Sequence, residues 1–247
     1  MWALKFSAPD QLKDTHMDSL FDILDEPQKG AVVKAGQCRE FRNRMLLIRQ
    51  GDPPDGIFVI LSGTVESVFY SEGERELRLA RWHSQDFVGA PHLFGDAPQK
   101  WSARAVGSVS ALHLNQDCLR GLIRAEPKFA ETLITCLGHK GERYSDLAQN
   151  LAFHSVPERL AKVLLRAALS EDGIETKTSY LRYLNRLELS QEIGSTRQAV
   201  GAALKSYEKA GVIKRETGEA YTLNLTSLRR IAGLERVDSK VRMRGYR

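Results

Sequence analysis

The sequence predicts an α+β chain: a β-roll of the jelly-roll kind, a long helix, then a winged helix-turn-helix. Three observations carry that reading. Between residues 30 and 115, short apolar runs alternate with turn clusters. From Glu126 the apolar period lengthens to that of a helix. The charge also divides: Val156 to Arg247 holds 18 Lys and Arg against 11 Asp and Glu, whereas Met1 to Ser155 holds 18 against 20. A near-neutral front and a basic back point to one polyanion-binding domain rather than a generally basic surface.

The bulk numbers agree. The 247 residues, 42% of them apolar, suffice for two domains with a sizeable core. No apolar run approaches the ~20 residues that span a bilayer, so no membrane partner is expected. The N-terminal MWALKFSAPDQLKD lacks a basic segment followed by an apolar one, and no signal peptide is expected. Cys38, Cys118 and Cys136 are scattered with no CxxC pair, which argues against a Cys-held zinc or iron–sulfur site and for a reducing cytoplasm.

In the β-roll, LLIRQGDPPDGIFVILSGTVESVFY has two β-rich runs separated by GDPPDG, a turn that Pro and Gly enforce. Gly63 marks a second turn. ERELRLARW alternates Leu77 and Leu79 with charge, as a half-buried strand does, and VSALHLNQD is another short strand. Several short strands with regular turns predict a small sandwich or jelly roll.

In the helix from Glu126, Leu133, Leu137, Lys140, Tyr144, Leu147 and Leu151 are spaced 4, 3, 4, 3, 4. That is an a/d seam, expected to pair with the same helix of a second copy. Gly138 and Gly141 each cost about 1 kcal/mol of helix propensity and would let a partner backbone approach. The plainer reading is that this face packs on the chain's own sandwich. Ser155 and Glu158 then form a capping box with Pro157 in the first turn, so a new helix starts at the shift in charge. The expected domains are 1–125 (β-roll sensor), 126–154 (dimerisation helix), 155–234 (winged helix-turn-helix) and 235–247 (basic tail). LSEDGIETKTS reads as a loop.

Two further capping boxes, Asn185 with Glu188 and Ser195 with Gln198, open a short helix and a longer one across the Ile193-Gly194 turn. Val200, Ala203, Leu204 and Tyr207 share one face and go to the core. Arg197, Gln198, Gly201, Ala202 and Lys205 share the other. VIKRETGEAYTL reads as a hairpin around Thr217-Gly218, the wing. A helix lying in the major groove reads base edges with its N-terminal residues. Arg197 can donate twice to guanine, Gln198 can pair with adenine, and Ser195 and Thr196 with the free N–H groups of that turn can hold a phosphate. Gly201 and Ala202 let the helix sink close. A surface helix with two solvated polar residues is the alternative, and the turn, wing and basic charge together weigh against it.

NRLELSQEIGSTRQAVGAALKSYEKAGVI resembles, without a gap, the helix-turn-helix of the cyclic-AMP receptor protein/FNR (CRP/FNR) regulators. DLAQNLAF and SVPERLAKVLL resemble the end of that family's dimer helix and its hinge, and FRNRMLLIRQGDPPDGIFVILSGTVES resembles its cyclic-nucleotide-binding β-roll. The resemblance covers about residues 15 to 233. It implies a homodimeric transcription factor that binds a near-palindromic operator and contacts RNA polymerase.

The departures are informative. The family's Arg-Glu with a second Arg becomes Arg197, Gln198 and Ala202, so the operator should differ. In DFVGAPHLFGDAPQKWSARAV, Gly89 stays. Ala90 replaces the Glu that would hold a ribose hydroxyl, and Lys100-Trp101-Ser102 stands where the phosphate-binding Arg pair should be. Lys100 is a point charge rather than a bidentate fork. Tyr144-Ser145 stands where a Thr-Ser pair would reach an adenine. The resemblance with these changes implies control other than by the usual cyclic-AMP contacts. The alternatives are a cyclic-nucleotide response through a diverged pocket, or a nucleotide-sensing module that does not touch DNA. A cupin-like metal-dependent enzyme would need a His/Glu set, and His83, His92, His113 and His154 show no ligand spacing, for a metal or for haem. No cofactor and no metal are expected, and an effector of unknown identity remains open.

Overall fold

The structure, a computed structural model, describes residues 19–73, 75–89, 93–172, 178–181, 185–216 and 220–234. The N-terminal MWALKFSAPDQLKD, Ala90, His92, Thr217-Gly218 and the basic tail lie outside the described residues. The chain forms two compact units that part between Phe153 and His154.

The first unit is a β-roll with helices at both ends. Two helices, α1 (Leu20–Ile23) and α2 (Glu26–Ala35), lead into β1 (Gln37–Phe41), β2 (Leu46–Ile48), β3 (Ile57–Tyr70), β4 (Glu76–His83), β5 (Phe87–Val88) and β6 (Ser102–Leu114). All pairings are antiparallel, in the order β1-β6-β3-β4, with β2 on β6 and β5 on β3. Strands were expected from residue 30, but 30–35 complete α2. Asp25 caps that helix by accepting from the Gln28 N–H at 2.9 Å, and Val32 is its one buried side chain.

Gly63 is not a turn. β3 runs through it, with register shifts at Ile60/Ser62 and Ser62/Thr64. Gly63 sits at φ +90°, and a Cβ there would lie 2.4 Å from the Ser108 carbonyl oxygen. Only glycine fits this bulge, which bends the long strand around the roll. The rolled sheet encloses Phe41, Phe58, Ile60, Val65, Trp82 and Val109, while Leu20, Ile57, Phe87, Leu114 and Leu119 pack against the helices.

Helix begins earlier than expected, with α3 (Gln116–Ala125), whose Asn115 cap accepts from the Cys118 N–H at 2.8 Å. After a break at Glu126, α4 (Pro127–Phe153) follows. Phe129, Leu133, Cys136 and Lys140 are buried on its inner side against the roll. The outer side carries Ile134 at 68% exposure and Phe153 at 81%.

The second unit begins with α5 (Val156–Asp172). Its capping box forms as read, the Ser155 N–H donating to Glu158 Oε2 at 2.6 Å and the Glu158 N–H to Ser155 Oγ at 3.4 Å. The expected loop of LSEDGIETKTS is partly regular instead. α5 runs to Asp172, and β7 (Thr178–Leu181) pairs with β9. Then come α6 (Arg186–Glu192), α7 (Arg197–Lys209), β8 (Ile213–Arg215), β9 (Tyr221–Asn224) and α8 (Leu225–Ile231), with sheet order β7-β9-β8. Leu160, Leu164 and Leu165 of α5, Val200, Leu204 and Tyr207 of α7, and Leu223, Leu225 and Leu228 form the core.

Candidate nucleic-acid interface and effector pocket

The candidate recognition face is built by local capping and by packing from beneath. Asn185 caps α6, accepting from the Leu187 and Glu188 N–H groups at 2.9 and 3.3 Å. Gly194 takes φ +59° in the turn, a conformation costly for other residues. The Ser195 N–H donates to the Ser190 carbonyl at 2.9 Å. The cap of α7 is Thr196, not Ser195: Thr196 Oγ1 accepts from the Ala199 N–H at 3.1 Å. With Arg197 as the first helical residue, a Thr196 hydroxyl reaches the third amide, whereas Ser195 lies one position too early.

On α7, Val200, Ala203, Leu204 and Tyr207 are buried as read, and Arg197, Gln198, Ala202 and Lys205 are exposed together. Gly201 is a correction. It is buried at the edge of this face, where a Cβ would lie 3.8 Å from Arg186 Nη1. The exposed Arg186 therefore lies beside this face of α7, a basic neighbour that sequence reasoning missed. Lys209, Lys214 and Arg215 add positive charge to the unit's surface, with Lys214 3.3 Å from Glu216.

Two part-buried polar ties hold this face. Arg159 on α5 donates through Nε to the Ile193 carbonyl in the turn at 2.8 Å and through Nη1 to the His154 carbonyl at 2.7 Å. The Tyr207 hydroxyl donates to the Pro157 carbonyl at 2.6 Å, and burial pushes its ionisation well up. Neither tie had a sequence signal: an Arg in a first helical turn and a Tyr on an apolar face are both ordinary.

Of the candidate pocket residues, Ala90 lies outside the described residues. Gly89 is held at φ +119°, and a Cβ there would lie 2.5 Å from the Gly56 carbonyl oxygen, so strand packing alone requires glycine. Ser102 is buried and accepts from the Gln50 N–H at 2.9 Å. Lys100 is exposed, and so is Ser145, which accepts from Gln149 Nε2 at 3.3 Å. Trp101 and Tyr144 do meet, ring centroids 5.2 Å apart, and Tyr144 meets Trp82 edge-on at 6.2 Å. Trp82 is 3% exposed, with its indole N–H donating to Ser67 Oγ at 2.8 Å. Burial pushes the Tyr144 hydroxyl up to about 12. Tyr144 packs against the core that the rolled sheet encloses.

Nearby, Glu66 is held by Arg78 at 2.8 Å and by Arg81 and Arg104 at 3.0 Å, and Arg104 also bonds Glu76 and Tyr70. Burial alone would raise the Glu66 carboxyl, but the three guanidinium groups outweigh it and keep the group below its ordinary range. Among the described residues, no group of three or more His, Cys, Asp and Glu is placed to hold a metal. His83 bonds Thr64 at 3.2 Å, His113 bonds the Asp55 carbonyl at 2.7 Å, and His154 Nε2 lies 3.0 Å from Lys162 Nζ.

The dimer-seam residues divide. Leu133 is 3% and Lys140 6% exposed, both covered by the chain's own roll, and Leu147 is half-buried on that inner side. Leu137, Tyr144 and Leu151 are half-buried at the boundary. Ile134, Gly141 and Ala148 are the exposed residues interleaved with them, spaced 3, 4, 3, 4, 3 from 134 to 151. Leu133 and Lys140 belong to the inner face because Phe87, Asp86 and Trp82 cover that side.

Known proteins share this arrangement. A family model described as the cyclic nucleotide-binding domain matches residues 38–126, and one described as the Crp-like helix-turn-helix domain matches residues 158–231. The chain is 27% identical over 200 residues to the CRP-like cAMP-activated global transcriptional regulator of Mycobacterium tuberculosis, covering 80% of this chain and 88% of that one. It is 26% identical over 197 residues to the cAMP-activated global transcriptional regulator CRP of Salmonella typhimurium, covering 77% and 93%. Its fold matches the c-di-GMP responsive global regulator CLP of Xanthomonas campestris with a TM-score of 0.70 at 22% identity, covering 81% and 99%. No described helix is long and apolar enough to cross a membrane.

Proposed function

This chain belongs to the CRP/FNR family of transcription regulators, and we propose that it acts as a homodimer on a near-palindromic operator without the cyclic-AMP control that its relatives' names carry. The observation that supports this best is the first turn of α7. There, Arg197 and Gln198 stand exposed at a capped helix N-terminus over a fully packed helix-turn-helix. Arg197 reads a guanine and Gln198 an adjacent base. Thr196, the free amides of the turn and Arg186 meet phosphates, and Lys205 adds charge. The second copy docks along Ile134, Leu137, Gly141, Tyr144, Ala148 and Leu151. The bound dimer then contacts RNA polymerase, in the cytoplasm where its DNA lies.

Arg197→Ala is expected to cost about 1–3 kcal/mol at the cognate site and to relax preference at one base pair per half-site. Fluorescence anisotropy on a panel of single-base operator variants measures both. An equal loss on every sequence would make Arg197 a phosphate contact instead.

Ala202 leaves one reading position empty on the exposed face. Ala202→Arg is expected to add discrimination at the inner guanine position of each half-site. Binding selections from random DNA compare the two proteins, and identical motifs would remove Ala202 from the reading surface.

A further inference from the structure

We infer that the first turn of α5 is the seat on which α7 is registered, and that Arg159 and Tyr207 are positioning residues for sequence readout, acting through Arg197 and Gln198 rather than on DNA themselves. This rests on the regulator reading above and names what gives its reading helix a defined place.

Apolar packing alone leaves α7 a freedom that base readout cannot tolerate. Val200, Leu204 and Tyr207 share one core cluster with Leu160 and Leu164 of α5. Such burial is non-directional, so it holds the helix down more firmly than it fixes sliding or rotation about the axis. A paired contact to a base edge is directional and needs its donors at about 3 Å. Register must therefore come from hydrogen bonds.

Two bonds supply it. Ile193 ends α6 and is buried, and its N–H is already spent on the Leu189 carbonyl at 3.0 Å. Its carbonyl accepts from Arg159 Nε at 2.8 Å. From there to Arg197 the chain has no slack. Gly194 is fixed at φ +59°, the Ser195 N–H is tied to the Ser190 carbonyl, and Thr196 caps the helix. A displacement of Ile193 thus reaches the first turn of α7. At the far end of α7, the Tyr207 hydroxyl donates to the Pro157 carbonyl at 2.6 Å.

Both bonds refer α7 to the same place. Pro157 and Arg159 stand in one turn of α5, which the Ser155–Glu158 capping box holds from one side and the bond from Arg159 Nη1 to the His154 carbonyl from the other. Arg197 and Tyr207 are ten residues apart, about 15 Å along the helix axis. A helix held at one point can pivot, whereas one held near both ends can neither pivot nor slide. Arginine suits the first bond because Nε and Nη1 leave one rigid plane and reach two carbonyls at once, which a lysine ammonium does not do with fixed geometry.

The test compares an operator fragment, selected from random DNA by the wild-type protein, with an unrelated fragment of the same length. Arg159→Met keeps the apolar stem and removes every donor. It is expected to stay folded and dimeric, to bind the operator at least tenfold more weakly, and to bind the unrelated fragment within twofold of the wild type. In an Arg197→Ala background the same change is expected to cost less than threefold, because the contact it positions is already gone. Tyr207→Phe is expected to lose operator affinity in the same selective way, and it decides alone if Arg159→Met does not fold. Equal losses on both fragments, or a full tenfold loss in the Arg197→Ala background, would make the ties merely structural and overturn the inference. So would variants that bind the operator as the wild type does, and the regulator reading would then still stand. A wild type that selects no sequence at all would overturn the regulator reading and this inference with it.

Discussion

Ile134→Glu is expected to convert the protein into a folded monomer that binds DNA almost without regard to sequence. Ile134 is 68% exposed and belongs to no core cluster of the chain, so the substitution leaves the roll intact. In a dimer it would set two carboxylates into an apolar seam with no cation to meet them, and an unpaired charge in such a place costs about 3–5 kcal/mol. The seam has little in reserve. Its other exposed members are small, and a Cβ at Gly138 or Gly141 would meet nothing within 4 Å, which suits close backbone approach and gives little area per residue. Specific recognition needs two recognition helices about one DNA turn apart, near 34 Å. A single helix forfeits half the base contacts, and a loss of about 10³ or more at the operator is expected at physiological salt. Light scattering and operator binding measure the two halves of the claim. Leu133→Ala is the control: Leu133 is 3% exposed in the chain's own core, so it should cost about 2–5 kcal/mol of fold stability without acting on the seam first. A dimeric Ile134→Glu protein would place the seam elsewhere.

That pair of neighbours also marks how far the sequence could be read. The 3.5-residue period of α4 was plain, but two phases of it were available. Apolar and small residues stand at both, Leu133 and Leu147 in one, Ile134, Gly141 and Ala148 in the other. Lys140 looked like an interruption of a seam; its partners Asp86 and Trp82 are 54 and 58 residues away, a distance that no local pattern spans. Glu66, Arg78, Arg81 and Arg104 have the same character, since alternate charges along β3, β4 and β6 read as solvated faces until the sheet brings them together. By contrast, the helix-turn-helix was legible nearly residue by residue, because caps, a turn glycine and an amphipathic face act within a few positions. What failed there was fine detail: the one-residue shift of the cap to Thr196, and Gly201 lying beneath Arg186. Asn115 offered a readable cap for α3, followed by Leu119 and Leu122 at helical spacing. β7 offered nothing, its four residues being too few to show a period.

Cyclic AMP at physiological concentration is expected neither to bind tightly nor to alter DNA affinity, although the relatives compared above are named as cAMP-activated. A site for that ligand needs a carboxylate for the ribose and a guanidinium for the cyclic phosphate. Here Ala90 stands at the first position, and the exposed Lys100 and the half-buried Trp101 at the second. Losing two charge-assisted hydrogen bonds, at about 1.5–3 kcal/mol each, weakens binding by about 10²–10⁴-fold before any steric cost. The steric cost is large as well. Tyr144 packs on both Trp82 and Trp101, and Trp82 is pinned by its bond to Ser67, so a purine entering between them would have to displace packed rings. Displacing them also breaks the contact of the Lys140 ammonium with the Trp82 ring. Calorimetry with cyclic AMP, paired with operator binding in its presence and absence, tests the expectation. The expected result is no heat at tens of micromolar ligand and superimposable DNA isotherms. Micromolar binding together with ligand-dependent DNA affinity would reverse it, and would mean that the rings move aside on a time scale that the ligand can exploit.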